Sequence, residues 1–292
     1  MQPGNIWRKS LCGVLILAGG VVLSGCGDPG KDAEAMLGVY SYPENAPRAC
    51  APGEKQGKAG VTAEQKFSSI KVGVRTPKNY DPTFAHPLLI VFPAAGADRF
   101  ETEAFTELTR EATQAGFIIA YPDHLPMEQV ITFGDLPAVL AENWCIDKKR
   151  MFFTGHSDGG NVSTALAVAF DSTRGLASAI APSAAGFDAK AFSLYRCPDP
   201  LPVMVMHHAH DMLFPGWGRQ AAKWWAECNR CDRKAEPERR EKGCVAYRGC
   251  AAETLYCEGE SGAIVKYTGL GHLQWPGLNQ EIIDFFRHAP GQ

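Results

Sequence analysis

The chain has 292 residues, of which 45% are hydrophobic and 21% charged, and its formal net charge is −3. That length and composition suit one α/β domain with a full core. The acidic balance excludes general nucleic-acid binding, which needs a basic surface.

The first 25 residues read as a leader. Arg8 and Lys9 form a positive start, and Leu11 to Val22 form an apolar run too short for an ordinary membrane span. Leu23-Ser24-Gly25-Cys26 then resembles a bacterial lipobox, in which cleavage leaves Cys26 as the lipid-bearing N-terminus. Gly27 rather than Asp follows it, which in a Gram-negative host implies the outer membrane. Loss of Arg8 and Lys9 takes 29 basic residues to 27 against 32 acidic ones, a formal net of −5. Residues 26–60 are rich in Gly, Pro, Ala and charge and read as a tether pinned by Cys50, leaving 61–292 as the folded domain.

Eight cysteines remain beyond Cys12 and Cys26: Cys50, Cys145, Cys197, Cys228, Cys231, Cys244, Cys250 and Cys257. An even number in an exported chain implies up to four disulfides. Cys228 and Cys231 form a C-x-x-C that could hold zinc. An oxidising compartment removes the thiolates zinc needs, and no second C-x-x-C follows.

Within the domain, alternating Ile70, Val72 and Val74 predict an antiparallel strand over Phe67 to Arg75. Leu88 to Phe92 and Phe117 to Tyr121 are continuous apolar runs, as expected of strands buried on both faces. Glu103 to Ala115 reads as a helix capped by Gly116, and Leu136 to Asn143 as another. Strands are expected at Met151 to Thr154, Leu176 to Ile180, Val203 to His207 and Ile264 to Tyr267, and helices at Asn161 to Phe170, Gly216 to Cys228 and Asn279 to His288. Strands alternating with helices imply a mostly parallel sheet covered on both faces. Trp217, Trp224 and Trp225 share one helical face and read as packing residues, and the mixed-charge stretch Arg230 to Lys242 reads as a solvated loop.

Gly155-His156-Ser157-Asp158-Gly159-Gly160 sits between a predicted strand and a predicted helix. It matches G-x-S-x-G in the setting of a nucleophile elbow, a tight turn that holds a serine hydroxyl clear of the sheet. A serine nucleophile needs a base to take its proton and an acid to orient the base. In this architecture they follow in the order Ser, acid, His. Asp211 lies just beyond the strand at Val203 to His207, whereas Asp199 precedes it. His272 lies on a glycine-rich loop before the last helix; His86 and His124 precede the serine, His156 is inside the elbow and His288 is in the terminal helix. Ser157, Asp211 and His272 are therefore the expected catalytic set. His207, His208 and His210 could be read as a metal cluster, but neighbours in an extended segment point to opposite faces, so they are read as structural and no metal or cofactor is expected. The backbone N–H of Asp158 should supply one oxyanion donor, and the loop Pro93-Ala94-Ala95-Gly96 the other. Pro93 has no N–H, which leaves Ala95 first and Ala94 second.

Several landmarks stand in one order: Pro77-Lys-Asn-Tyr-Asp-Pro82, Phe117 to Asp123 ending in Tyr-Pro-Asp, Cys145 to Gly155, His207 to Pro215 around Asp211, and Gly271 to Gly277 around His272. Together they resemble the secreted polyhydroxybutyrate depolymerase and feruloyl esterase family of α/β-hydrolases, including its lipoprotein members. The resemblance covers roughly Ser68 to His288. It implies an α/β-hydrolase fold and an exported serine esterase, with Asp211 and His272 as acid and base. It implies esters of hydroxycinnamic acids, acetylated sugars or hydroxyalkanoates as substrates, and the lipid on Cys26 as the link to a membrane. Two departures stand out: Pro93-Ala94 replaces the usual His-Gly, and one extra residue shifts Trp275 relative to His272. A serine peptidase of the same fold and a non-catalytic surface lipoprotein are the alternatives to be separated by experiment.

Overall fold

The computed structural model describes residues 33–45, 48–258 and 271–291. The expected leader, Cys26 and the strand expected at 264–267 lie outside the described residues. The chain folds as an α/β-hydrolase. In chain order the elements are β1 (Val61–Phe67), β2 (Ile70–Arg75), β3 (His86–Phe92), α1 (Arg99–Thr106), α2 (Thr109–Gln114), β4 (Ile118–Pro122) and α3 (Leu136–Asn143). Then come β5 (Ile146–His156), α4 (Asp158–Val168), β6 (Ala179–Ser183), α5 (Ala189–Phe192), β7 (Val203–Met206), α6 (Trp217–Cys228), β8 (Glu238–Arg239), β9 (Cys244–Ala246), β10 (Thr254–Cys257) and α7 (Asn279–His288).

The described strands form one sheet in the order β1-β2-β4-β3-β5-β6-β7-β10-β9-β8. The central pairs, from β4–β3 through to β7–β10, are parallel, and the flanking pairs are antiparallel. β3 is buried along its whole length. Its residues alternate between two apolar layers: Leu88, Ile90 and Phe92 face one core with Leu166 and Trp225, while Leu89 and Val91 face the other with Ile282 and Phe286. Helices α4 and α6 therefore cover one face, and α2 and α7 the other. This is why the run Leu88 to Phe92 is apolar without a break.

Three departures from the sequence reading have local causes. The helix expected over Glu103 to Ala115 begins four residues earlier, because Asp98 and Glu101 form a reciprocal capping box. It breaks at Glu107, which takes a left-handed conformation at φ 52°. The strand expected at Leu176 to Ile180 lies three residues later, as β6. A parallel strand beside β7 is supplied by β10, in the cysteine-rich stretch, and β10 is extended by β9 and β8.

Among the described residues, four disulfides join Cys50 to Cys145, Cys197 to Cys228, Cys231 to Cys250 and Cys244 to Cys257. They fit a protein that folds in an oxidising, extracytoplasmic compartment. The described part of the expected tether lies against the domain. Leu37 is buried, the Gly38 N–H donates to Thr113 Oγ1, Tyr42 packs edge-on to His86, and the Trp144 indole N–H donates to the Lys58 carbonyl. Among the described residues, no helix is long and apolar enough to cross a membrane.

Candidate active site

Ser157 stands between the end of β5 and the start of α4 at φ 55°, ψ −115°, a backbone conformation that an L-residue occupies only under constraint. The constraint is close packing. A Cβ on Gly155 would lie 2.5 Å from the Phe92 carbonyl oxygen, and one on Gly159 would overlap the same carbonyl. A Cβ on Gly160 would come within 2.6 Å of the Ser183 carbonyl. The turn is tied down by the Ser157 N–H donating to Ser183 O at 3.0 Å and the Asn161 N–H donating to Ser157 O at 2.9 Å.

Asp211 lies in the loop after β7 and is buried. Its Oδ1 accepts the N–H groups of Leu213 and Phe214, each at 2.9 Å. Its Oδ2 accepts His272 Nδ1–H at 2.8 Å. Burial alone would raise this carboxyl's pKa. The hydrogen bonds from His272 and the Phe214 N–H outweigh it and hold the group below the usual carboxylate value. His272 is buried in the short helical turn Gly271–Leu273, and its Nε2 faces Ser157 Oγ at 2.9 Å. The Phe214 ring packs edge-on to the imidazole at 5.0 Å and is stacked by Trp217 at 4.7 Å. The structure thus brings Ser157, His272 and Asp211 into one hydrogen-bonded series. With Nδ1–H donating to the carboxylate, Nε2 is left bare to receive the serine proton.

The hydroxyl opens into a cleft of about 420 Å³. Ala94, Ala95, Ala97, Phe105, Leu213 and Leu273 give it apolar walls, Glu101 and Thr102 add polar atoms, and neither Lys nor Arg lines it among the described residues. Ala94 and Ala95 both reach this cleft beside Ser157. The loop that carries them turns through Ala97 N–H donating to Ala94 O at 3.0 Å, with Gly96 at φ 74°. Neither Pro93 nor Ala94 takes a positive φ. The loop's need for a glycine is met two positions after Ala94. Asp158 opens α4, so its N–H is one of the helix's unpaired N-terminal donors. Trp275 keeps a defined place despite the extra residue. Its indole N–H donates to Asn279 Oδ1, and the Asn279 amide donates to the Thr106 carbonyl at the edge of the cleft.

The three histidines near Asp211 do separate things. His207 donates Nε2–H to the Phe214 carbonyl at 2.8 Å and bears on the acid loop, while His208 Nδ1 accepts the N–H of His210. Of the tryptophans, Trp225 is fully buried, Trp224 stacks on Phe192 and Trp217 on Phe214. His124 Nε2 stands 3.4 Å from Asp158 Oδ2. The residue that sequence reasoning set aside is His156. It is buried, donates Nε2–H to the His272 carbonyl at 2.6 Å and accepts the Ser183 hydroxyl at Nδ1, at 3.0 Å. Burial pushes its pKa down to about 4.

No family model and no curated protein sequence matches the chain. Solved structures do. A thermostable esterase superposes at a TM-score of 0.56 and 18% identity, covering 78% of this chain and 61% of that one. The acetyl xylan esterase from Aspergillus awamori superposes at a TM-score of 0.57 and 14% identity, covering 75% of this chain and 94% of that one. At these identities the likeness is one of fold.

Proposed function

We propose that this protein is an exported, lipid-anchored serine hydrolase that cleaves carboxylic esters through an acyl-enzyme. The observation that carries the reading is the series from Ser157 Oγ through His272 to buried Asp211, set in the wall of an apolar cleft. Ser157 attacks the ester carbonyl as His272 Nε2 takes its proton. Asp211 holds the ring in the required tautomer and stabilises the imidazolium. The N–H groups of Asp158 and Ala95 hold the tetrahedral oxyanion. His272 then protonates the leaving alcohol, and water enters by the same route to release the acid.

The described lining residues include Glu101 and no Lys or Arg, which favours an uncharged acyl group over a carboxylate-bearing one. The resemblance to feruloyl esterases and polyhydroxybutyrate depolymerases makes hydroxycinnamoyl, acetyl and hydroxyalkanoyl esters the substrates to try. Lipid on Cys26 would hold the enzyme at the outer membrane or cell surface, and the four disulfides suit that compartment.

The test compares the wild type with Ser157→Ala, using a fluorophosphonate probe, short aryl esters and matched peptide amides. Labelling and ester turnover that vanish in the variant support the reading, and turnover of the amides instead would make the protein a peptidase. A folded wild type that takes no label overturns it. Cys26→Ser should release the protein from the membrane fraction, and its retention there would refute the anchor.

A further inference from the structure

We infer that His156 is a positioning residue for the base: its imidazole bridges the backbone carbonyl of His272 and the hydroxyl of Ser183. The inference rests on the serine-hydrolase reading and extends it to a residue outside the Ser157, His272 and Asp211 series. A carbonyl can only accept, so His156 Nε2 carries the ring proton in the 2.6 Å contact with His272 O. The buried ring, with a pKa near 4, takes no second proton at neutral pH. Its Nδ1 is therefore a bare lone pair that accepts the Ser183 hydroxyl.

Ser183 is the last residue of β6 and pairs in register with His156 at the end of β5. Its backbone carbonyl holds the Ser157 N–H. One strand end therefore fixes the nucleophile through its main chain and the base through its side chain and His156. The His156 ring is itself held by Phe105 and Trp275, at centroid distances of 5.1 and 6.3 Å.

His272 must reach Ser157 at 2.9 Å and Asp211 at 2.8 Å at once, so its backbone has little freedom. A displacement of about 1 Å in a reacting group costs on the order of 100-fold in rate. His156 also stands 5.4 Å, centroid to centroid, from a ring that becomes cationic during the reaction. A neutral bridge supports that ring without placing a like charge beside it.

The test is steady-state hydrolysis of p-nitrophenyl acetate by the wild type, His156→Leu, His156→Gln and Ser183→Ala, with melting temperatures for each. Leu removes both hydrogen bonds, whereas Gln can still donate from the Nε2 position. Expected are a kcat lower by about 100-fold in the Leu variant with KM within about threefold, and a Gln variant restored to within about tenfold of wild type. Ser183→Ala keeps the carbonyl that holds Ser157, and a loss of about fivefold in kcat is expected there. Wild-type kcat in His156→Leu overturns the inference, as does equal kcat in the Leu and Gln variants when they melt alike. If His156→Leu does not fold, an unchanged kcat in Ser183→Ala overturns it. A wild type with no turnover would instead overturn the serine-hydrolase reading and this inference with it.

Discussion

Replacing Asp211 by Asn isolates the orienting role of the acid, because the structure dictates which way the amide must lie. Oδ1 of Asp211 accepts two backbone N–H groups, from Leu213 and Phe214, and only an oxygen can take that place. The Asn NH2 is then forced into the position of Oδ2, where it donates toward His272 Nδ1. The ring must switch tautomer to accept, which moves its proton to Nε2. Two donors then face each other across the 2.9 Å gap to Ser157 Oγ, and the serine has no base. His207 cannot relieve the clash. Its Nε2 lies 3.4 Å from Asp211 Oδ2 and already donates to the Phe214 carbonyl. A wrong tautomer of this kind costs about 10⁴-fold in kcat, or roughly 5.5 kcal/mol. The accompanying loss of charge-assisted hydrogen bonds should cost roughly 1–2 kcal/mol of stability, so the variant should remain folded. The assay is p-nitrophenyl acetate hydrolysis together with the rate of fluorophosphonate labelling, both expected to fall in parallel. A variant that is folded and keeps kcat within tenfold of wild type would refute the assignment of Asp211.

Other perturbations test the frame that holds the site. His156 titrates near 4 in the folded protein against an ordinary 6.5, so the unfolded chain takes up that proton first on acidification. The stability it contributes is present above pH 6.5 and lost as pH falls toward 4, about 3 kcal/mol in all. Urea midpoints between pH 7.5 and 4 should fall less steeply in His156→Gln than in wild type, and equal slopes would refute this. Cys50 and Cys145 are 95 residues apart in sequence, and their bridge stabilises by about 4.5 kcal/mol on loop entropy. The double Ser variant should therefore melt roughly 10 °C lower, and an unchanged melting curve would exclude that contribution. Glu103 binds the Arg75 guanidinium through both oxygens, at 2.9 and 2.5 Å, and accepts the Thr109 hydroxyl in a buried site. Glu103→Ala strands the Arg75 charge and should cost about 3–5 kcal/mol by chemical denaturation; a loss under 1 kcal/mol would contradict the burial of the pair.

What the sequence disclosed depended on how local each cause is. β3 and β4 were legible because strands buried on both faces must be apolar throughout, and α3 falls on the expected residues. The start of α1 was also written in the chain, in Asp98 and Glu101, ahead of the start expected at Glu103. β8 to β10 were missed because strands of two to four residues hold too little alternation to register. β8 falls inside Arg230 to Lys242, the stretch expected as a solvated loop, and the Cys244–Cys257 bridge joins β9 to β10. The loop at Pro93-Ala94 departs from the pattern of the family that the sequence resembles, yet the conformation that needs a glycine falls at Gly96.

The contrast between Ser157, Asp211 and His272 on one side and His156 on the other follows from strand order. Chemistry restricts a serine, an acid and a histidine to one order along the chain, and that order points to the first three. Ser157 follows β5 and Asp211 follows β7, with β6 between them. Two strand spacings, roughly 9.5 Å, separate those strand ends, and one imidazole with a hydrogen bond at each side spans the gap. That imidazole necessarily crosses the end of β6, where Ser183 stands. A support for the base is therefore best built from β6 and its neighbour β5, which is where Ser183 and His156 lie. No local pattern encodes this, because the carbonyl that His156 holds is 116 residues away in sequence. The sheet order determines the need for such a support, and the polar side chains of two otherwise apolar strand ends meet it.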